Sequence, residues 1–219
     1  MLISHKDKKI FLSIPKTGST SIMSTLNEKS LHYKPHIYHA TYKEIISFKN
    51  SYTFNKDLLF KGFKFFFIQN ILINKISNYN VYAVVREPIE RLISVYFDAK
   101  ADKNHKTLNE ISSLNSLDDF FNFYLSKDVL KHPRHLWPQS YFIEDVPLKN
   151  LKLYDFNNLQ GCLDSLQGNF FWQHSQLPHL RKTNSAKAVL NINDKFLKAL
   201  KDSLFDDYKL YNSLRVNNL

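Results

Sequence analysis

The sequence predicts an α/β fold in which a central, mainly parallel sheet lies between layers of helices. Two transitions from strand to helix support this prediction. Ile10–Ile14 is a short apolar run that Pro15 stops, and a helix is expected to begin near Ser19. Val81–Val85 is β-branched and nearly all apolar, as in a parallel strand that is covered on both faces. We therefore expect Val81–Val85 to lie in the interior of the sheet.

A helix is predicted to follow this second strand, from Pro88 to about Lys100. Proline suits the first turn of a helix, because its missing N–H would have no partner there. Apolar residues then recur at intervals of three and four, which is the helical period. They are Ile89, Leu92, Ile93, Tyr96 and Phe97.

Further elements are expected before and after these two transitions. A short strand is predicted at Ile37–Ala40, followed by a helix that starts near Thr41. Leu151–Leu159 alternates as a strand and then leads into a helix, and Asp194–Leu214 repeats apolar residues at helical spacing. The C-terminal third therefore has the pattern of a scaffold.

Composition favours one domain, residues 1–219, with an anionic ligand. The 219 residues are 43% hydrophobic, and no Pro/Gly/Ser-rich linker or internal repeat divides them. The formal charge is +10, so the surface should attract phosphate, sulfate or acidic glycans. Nucleic acid is not expected as a partner, because the basic residues are spread along the chain without a recognisable nucleic-acid-binding motif.

Neither a disulfide framework nor a membrane span is predicted. Cys162 is the single cysteine, which permits a reducing compartment. The N-terminus has no apolar stretch of signal-peptide length before the first strand. The most apolar stretch, Phe63–Ile73, contains Lys64, Gln69 and Asn70 and is too short to cross a bilayer. We expect a cytoplasmic protein; peripheral membrane contact and the oligomeric state stay open.

The turn after the first strand has the composition of an anion-binding loop. It offers a cation, a glycine, four hydroxyls and a row of backbone N–H groups at the start of a helix. These candidate ligands are Lys16, Thr17, Gly18, Ser19, Thr20 and Ser21. The turn is not a Walker A loop, in which the lysine follows the second glycine, because here Lys16 precedes Gly18, the only glycine in the turn.

Arg86 and Ser94 form a second candidate anion site. Arg86 follows a predicted strand, and ligands of open α/β sheets bind outside the carboxyl ends of the strands. Its planar guanidinium can grip a phosphate with two hydrogen bonds, and Ser94 could add a hydroxyl from the following helix. The alternative is that Arg86 pairs with Glu90 on the surface and that Ser94 merely packs.

Both motifs resemble those of a known enzyme family. Ile-Pro-Lys-Thr-Gly-Ser-Thr-Ser, residues 14–21, resembles the 5′-phosphosulfate-binding loop of sulfotransferases that use 3′-phosphoadenosine 5′-phosphosulfate (PAPS). The likeness is strongest to the carbohydrate branch related to the heparan and uronyl 2-O-sulfotransferases. Residues 81–97 are similar to the family's 3′-phosphate motif, with Arg86 and Ser94 in the matching places. The order of the two motifs is more specific than either one alone.

The resemblance implies a fold, a reaction and a donor. The fold would be P-loop-like, with three layers, α/β/α. The reaction would be in-line transfer of a sulfuryl group from PAPS to a carbohydrate hydroxyl, releasing 3′-phosphoadenosine 5′-phosphate (PAP), without a metal. Lys16 would stabilise the charge on the oxygen that bridges sulfur and the 5′-phosphate. Eukaryotic Golgi members carry a membrane anchor, so its absence, with the Lys-, Asn-, Ile- and Phe-rich composition, suggests a bacterial member.

A histidine is expected to deprotonate the acceptor hydroxyl. Among the nine histidines, His39 is the best candidate, because a Tyr-His segment in this interval supplies the base in the resembled family. The match is partial, since Thr41 stands where some relatives have a second histidine. His36 is the second choice for the base and a candidate for substrate contact. A structural role for His39 is the alternative.

The acceptor is expected to contact the stretch from Lys131 to Ile143, where cations alternate with aromatic residues. His135, Trp137 and Gln139 are the candidate contacts, and the Trp-Pro-Gln piece also resembles an element of carbohydrate sulfotransferases. The alternative is a helix start after Pro138 with its aromatic residues in the core. A later loop with Arg181, Lys182 and Ser185 either closes over the nucleotide, as in the resembled family, or is solvated.

Two other functions stay open on the sequence alone. An ATP-dependent kinase on a P-loop-like scaffold would share the strand, turn and helix. A non-catalytic module, basic and aromatic, would bind anions or glycans without turning them over. For the enzyme, the acceptor is predicted to be a glycan or glycan precursor.

Overall fold

The sheet is mixed and has helices on both sides. The computed structural model describes residues 1–4, 7–26, 39–47, 76–102, 106–166 and 192–216. Within these ranges it has four strands in the order β1-β2-β3-β4. Their bounds are β1 Leu2–Ser4, β2 Lys9–Leu12, β3 Asn80–Val85 and β4 Leu151–Asp155. β1 and β2 are antiparallel, whereas β2 with β3 and β3 with β4 are parallel.

The α-helices of the described ranges are α1 Ser19–Thr25, α2 Tyr42–Ser47, α3 Pro88–Ala101, α4 Asn109–Ser112, α5 Leu117–Leu125, α6 Gln139–Ile143, α7 Leu159–Leu166, α8 Asp194–Ser203 and α9 Phe205–Val216. Short 3-10 helices lie at Lys106–Leu108, Val129–Lys131, Arg134–Leu136, Leu148–Asn150 and Phe156–Asn158. The predicted helix from Pro88 to about Lys100 is confirmed as α3. None of the helices in the described ranges is both long and apolar enough to span a membrane.

Successive residues of a strand point to opposite faces of the sheet, and each face is covered by helices. Ile10, Val81 and Ala83 pack with residues of α2, α6 and α9 in one apolar cluster. Phe11 and Val84, their neighbours in the strands, pack on the other face with α1 and α7. β3 is flanked by a parallel strand on each side, and its residues Val81–Val85 are buried. The prediction of an interior strand at Val81–Val85 is therefore confirmed.

The helices α3, α4, α5 and α8 build a third apolar cluster beside the sheet. α5 begins with a reciprocal cap, in which Ser116 Oγ accepts from Asp119 N–H and Asp119 Oδ2 accepts from Ser116 N–H, each at 3.1 Å. This cluster surrounds the buried side of α3. The cluster therefore holds α3, which carries the candidate ligand Ser94, in place.

The predicted strand at Ile37–Ala40 does not form in its described part. Residues 37 and 38 lie outside the described residues, and His39 and Ala40 belong to a turn and an irregular segment. The carbonyl of His39 accepts a hydrogen bond from Arg134 Nη1 at 2.9 Å instead of joining a strand ladder. The helix predicted near Thr41 is confirmed as α2, with Thr41 and Glu44 capping each other.

Candidate active site

The turn after β2 folds back on its own backbone. Thr17 Oγ1 donates to the carbonyl of Ile14 at 3.0 Å, and Ser19 Oγ approaches the same oxygen at 3.4 Å. Both hydroxyls are buried, whereas Thr20 is exposed and Ser21 is half-buried. Two of the four predicted hydroxyl ligands thus stabilise the turn, and the other two lie nearer to its surface.

Two residues of the turn have left-handed backbone conformations. Lys16 has φ 64° and Gly18 has φ 76°. Glycine adopts this conformation freely, whereas a residue with a Cβ adopts it at a cost in free energy. At Gly18 a Cβ would also lie 2.7 Å from Leu159 Cδ1 of α7. The turn is therefore tightly specified, with strain at the lysine that the sequence predicts to be catalytic.

The Lys16 ammonium contacts the helix of the second motif. Its Nζ lies 2.9 Å from Asp98 Oδ1 on α3, and the two side chains are only 13% and 14% exposed. Asp98 lies four residues after Ser94, on the same side of the helix. This ion pair joins the first predicted phosphate motif to the second.

Arg86 lies at the carboxyl end of β3, as predicted. Its guanidinium carbon stacks 4.3 Å from the centre of the Phe156 ring, and its Nη2 lies 3.5 Å from Glu90 Oε2. The side chain is buried, and this burial lowers the pKa of Arg86. The nearby Glu90 carboxylate acts in the opposite direction and raises this pKa. Arginine stays charged throughout the range in which proteins are folded. A cation held between an aromatic ring and one carboxylate is a suitable partner for a phosphate.

Ser94 is fully buried on α3. Within the described residues its Oγ has no hydrogen-bond partner. A buried hydroxyl without a partner is unfavourable by about 1–3 kcal/mol. Glu90, Ser94 and Asp98 follow one another at intervals of four, so they share one side of α3. Arg86 meets this row at Glu90 and Lys16 meets it at Asp98, which brings both motifs to one helix face.

His39 contacts Ser13, the residue that follows β2 and precedes the Lys16 turn. Its Nδ1 lies 2.6 Å from the carbonyl oxygen of Ser13 and 3.2 Å from Ser13 Oγ. A carbonyl can only accept, so Nδ1 carries the proton and Nε2 is the basic nitrogen. Burial lowers the pKa of His39 from 6.5 to about 3, with smaller contributions from His135 and Arg134. The imidazole is therefore neutral at pH 7, as a general base must be.

The predicted acceptor stretch packs against His39. The His135 ring meets the His39 ring edge to face, with centres 5.2 Å apart. Arg134 forms two hydrogen bonds with the Glu44 carboxylate, at 2.6 and 2.7 Å, and its guanidinium lies 4.6 Å from the centre of the Trp137 ring. Trp137 itself is half-buried. His135 thus contacts the candidate base directly, whereas Trp137 is connected to it through Arg134, which donates to the His39 carbonyl.

Gln139 lies in the protein core and not at the surface, where a contact with an acceptor is expected. It is fully buried, and its side-chain amide forms two hydrogen bonds with the backbone of Arg86. Helix α6 does begin at Gln139, directly after Pro138, with Phe142 in the core. That Gln139 contacts an acceptor stays a prediction, while its observed contacts are with the second phosphate motif.

A protein-family model described as the sulfotransferase family matches residues 1–212. The chain belongs to this family. No curated protein and no solved structure gives a match to it. The match covers both motifs, and the mixed sheet with helices on both sides agrees with the α/β sulfotransferase fold. The chain is thus a transferase of the sulfuryl-transferring class.

Several residues of the candidate site belong to neither motif. Asp98 and Phe156 contact the two candidate cations, and Arg134 with Glu44 supports the candidate base. Asp98 had one local signal, since it lies on the Ser94 side of a predicted helix. Phe156 follows the end of β4, next to the end of β3, but this neighbourhood requires the strand order.

Some predicted residues of the sulfotransferase lie outside the described residues. They are His36, Arg181, Lys182 and Ser185. Their predicted roles, as the second choice for the base and as part of a closing loop, stay predictions.

Proposed function

We propose that this sulfotransferase moves the sulfuryl group of PAPS to a hydroxyl of a carbohydrate acceptor. One observation carries the proposal: Lys16 and Arg86, from separate motifs, both contact the Glu90–Ser94–Asp98 side of α3. Two cations and a buried hydroxyl on one helix face suit a ligand with two separate anionic groups. The family match supports the reaction class, and the carbohydrate acceptor rests on the motif resemblance.

The residues fit PAPS at both of its anionic ends. The turn from Lys16 to Ser21 would hold the 5′-phosphosulfate, while Arg86 would hold the 3′-phosphate. Ser94 would give the 3′-phosphate a hydroxyl that has no partner in the part of the chain described by the structure. When bound, PAPS supplies the activated sulfuryl group.

Lys16 would act by exchanging one negative partner for another. In the structure its ammonium lies beside the Asp98 carboxylate. A phosphosulfate in the turn would compete for the same cation, and the Lys16 ammonium, released from Asp98, would then be available to neutralise charge that develops on the leaving group. A cation in such a partly buried site stabilises developing charge more than it would in water.

His39 would take the proton from the acceptor hydroxyl through Nε2. Ser13 accepts a hydrogen bond from the opposite ring nitrogen, so the segment between β2 and the Lys16 turn sets the orientation of the imidazole. A pKa of about 3 makes the ring a weak base in the ligand-free protein. An anion bound in the neighbouring turn would raise this pKa, because it favours the imidazolium. His135 and Trp137 would contact the acceptor, and His36 remains a proposed contact.

A binding and transfer experiment tests the proposal. Calorimetry compares PAP with ATP and Mg²⁺, and labelled PAPS is incubated with glycan fractions that are then examined by mass spectrometry. We expect PAP to bind more tightly, without a need for Mg²⁺, and an acceptor to gain the mass of one sulfuryl group. Tighter binding of ATP with Mg²⁺ would instead support a kinase. PAP binding without transfer to any acceptor would support a binding module.

Substitutions at the two cations test the site. Lys16→Ala and Arg86→Ala should abolish transfer and weaken PAP binding without unfolding the protein. Lys198→Ala, which removes the charge of an exposed lysine on α8, is the matched control and should bind PAP normally. Normal turnover in both site variants would refute the assignment. His39→Asn should lose transfer while PAP affinity is kept, because Nε2 is absent from asparagine.

A further inference from the structure

The backbone of Arg86 is held by a side chain 53 residues away. β3 ends at Val85, which pairs with Asp155 of β4, so Arg86 lies beyond the ladder. There the Arg86 N–H donates to Gln139 Oε1, and Gln139 Nε2 donates to the Arg86 carbonyl, both at 2.9 Å. The amide of Gln139 thus takes the place of a neighbouring strand at this one residue.

Gln139 is itself fixed in the protein core. It is the first residue of α6, and its N–H donates to Asp207 Oδ2 of α9 at 2.9 Å. Ser140 donates to Asp207 Oδ1 through its N–H and its hydroxyl, each at 2.9 Å. Gln139 is fully buried, and hydrogen bonds of both its backbone N–H and its side-chain amide hold it in this position.

The guanidinium of Arg86 depends on this support. An arginine side chain has many rotamers, and its position is defined only if the backbone from which it starts is defined. The observed contacts with Phe156 and Glu90 set the far end, and Gln139 sets the near end. Binding groups that must meet a phosphate in one geometry gain affinity from such support.

We propose that Gln139 is a positioning residue for recognition of the 3′-phosphate. Its amide fixes the Arg86 backbone so that the guanidinium meets the 3′-phosphate of PAPS, while Gln139 itself contacts neither donor nor acceptor. The proposal rests on the proposed function, in which Arg86 binds this phosphate. It gives Gln139 a role different from the acceptor contact that its sequence neighbourhood predicts.

Calorimetry with PAP and with AMP, which lacks the 3′-phosphate, isolates this role. The measured quantity is the ratio of the two affinities. Gln139→Ala should lower the ratio by about tenfold while AMP affinity changes by less than about threefold. Arg86→Ala should remove the preference for PAP, and adding Gln139→Ala to it should lower the ratio no further. Ser140→Ala, which alters the neighbouring contact with Asp207, is the control and should keep the wild-type ratio.

Gln139→Glu provides a second readout if the alanine variant does not fold. A protonated carboxyl group can accept from the Arg86 N–H and donate to its carbonyl, whereas a carboxylate can only accept. Burial and the Asp207 carboxylate at the N–H of residue 139 raise the pKa of such a carboxyl group, and the Arg91 guanidinium beside Asp207 opposes this rise. The PAP-to-AMP affinity ratio of Gln139→Glu is divided by the wild-type ratio at the same pH. This quotient should increase as the pH is lowered from about 8 to about 6, because protonation restores the donor.

The outcomes separate this inference from the proposed function. If the wild type binds PAP and AMP equally, the proposed 3′-phosphate site is wrong, and the inference is wrong with it. If the wild type prefers PAP and Arg86→Ala removes the preference, the proposed site stands. In that case an unchanged ratio in Gln139→Ala, an equal loss for both ligands, or a pH-independent quotient for Gln139→Glu would refute only the positioning role.

Discussion

Lys16 connects the turn of the first motif to the helix of the second, because its ammonium forms an ion pair with the Asp98 carboxylate. The ion pair with Asp98 is only slightly exposed, so solvent screens it less than a surface pair. In the proposed site, the phosphosulfate would have to replace this carboxylate as the partner of the Lys16 ammonium. The ion pair would be lost on binding, so its free energy makes the binding free energy of the ligand less favourable.

Asp98→Asn should increase PAP affinity. Removal of the competing carboxylate leaves the charge of Lys16 to the ligand, and an ion pair of this kind corresponds to a gain of about two- to fivefold. The gain should shrink at high ionic strength, because salt screens the charge. Calorimetry at low and high salt measures both effects.

Asp118→Asn, which removes an exposed carboxylate on α5, is the control for net charge. It should change PAP affinity less than Asp98→Asn does. Weaker PAP binding in Asp98→Asn would mean that the carboxylate orients Lys16 for the ligand instead of competing with it.

His39 should make stability depend on pH. In the unfolded chain its pKa is near 6.5, whereas burial lowers the folded pKa to about 3. Between these values the unfolded chain binds a proton that the folded protein does not, so the free energy of unfolding falls as the pH falls. Above about pH 6.5 this contribution to the pH dependence is absent.

Urea unfolding of His39→Asn provides the comparison. Asparagine can donate an N–H to Ser13 and does not titrate, so the variant should lose less stability than the wild type between about pH 7 and about pH 5. Burial also lowers the pKa of His132, but that residue is common to both proteins. Equal losses would show that His39 is not the group responsible.

At the scale of elements, Gly18 sets how closely α1 approaches α7. Gly18→Ala should lower the free energy of unfolding by about 1–3 kcal/mol, because φ is positive and the new Cβ meets Leu159. Urea unfolding of Gly18→Ala, Leu159→Ala and the double variant separates the two causes. The double variant should lose less than the sum of the single losses, since only the contact is relieved. A neutral Gly18→Ala would contradict this account of the turn.

The elements themselves follow from local patterns, and the sequence predicted most of those near the site. The β-branched run at Val81–Val85 and the helical spacing after Pro88 are properties of neighbouring residues, and both elements are confirmed. At His39 and Ala40, the described part of the predicted strand, the departure from the prediction has a non-local cause. Arg134, 95 residues away, takes the His39 carbonyl, and no pattern around His39 contains that information.

The same distinction applies to the candidate site. Lys16, Arg86 and Ser94 could be predicted because each lies at a defined place in a motif. Their partners could not, because Asp98 and Gln139 become neighbours only when the chain is folded. The Trp-Pro-Gln resemblance predicts an acceptor contact for Gln139, and only the folded structure reveals its hydrogen bonds to Arg86.

At the scale of the whole molecule, the buried pair Arg91 and Asp207 connects α3 to α9. Arg91 on α3 is fully buried and donates to the carbonyls of His135 and Trp137, at 3.1 and 2.8 Å. Its Nη2 also lies 3.9 Å from Asp207 Oδ2 on α9. Asp207 in turn caps α6 at Gln139. The helix that carries Ser94 and the helix that supports Arg86 are therefore held by the same charge pair.

Arg91→Met should lower the free energy of unfolding by about 3–5 kcal/mol. The substitution leaves the Asp207 carboxylate buried without its cation, and it leaves two carbonyl oxygens without their donors. Lys127→Met is the matched control, because it breaks an exposed pair with Glu110. The control should lose less than about 1 kcal/mol. Urea unfolding measures both variants.

Adding Asp207→Asn to Arg91→Met distinguishes a charge effect from a packing effect. If the buried carboxylate is the main cost, its neutralisation should recover part of the lost stability, although the asparagine amide cannot accept all three hydrogen bonds that Asp207 receives at Gln139 and Ser140. A double variant that is no more stable than Arg91→Met would assign the loss to the carbonyls and to packing. Because α6 carries Gln139, we also expect the double variant to bind PAP more weakly than the wild type even at temperatures where it is fully folded.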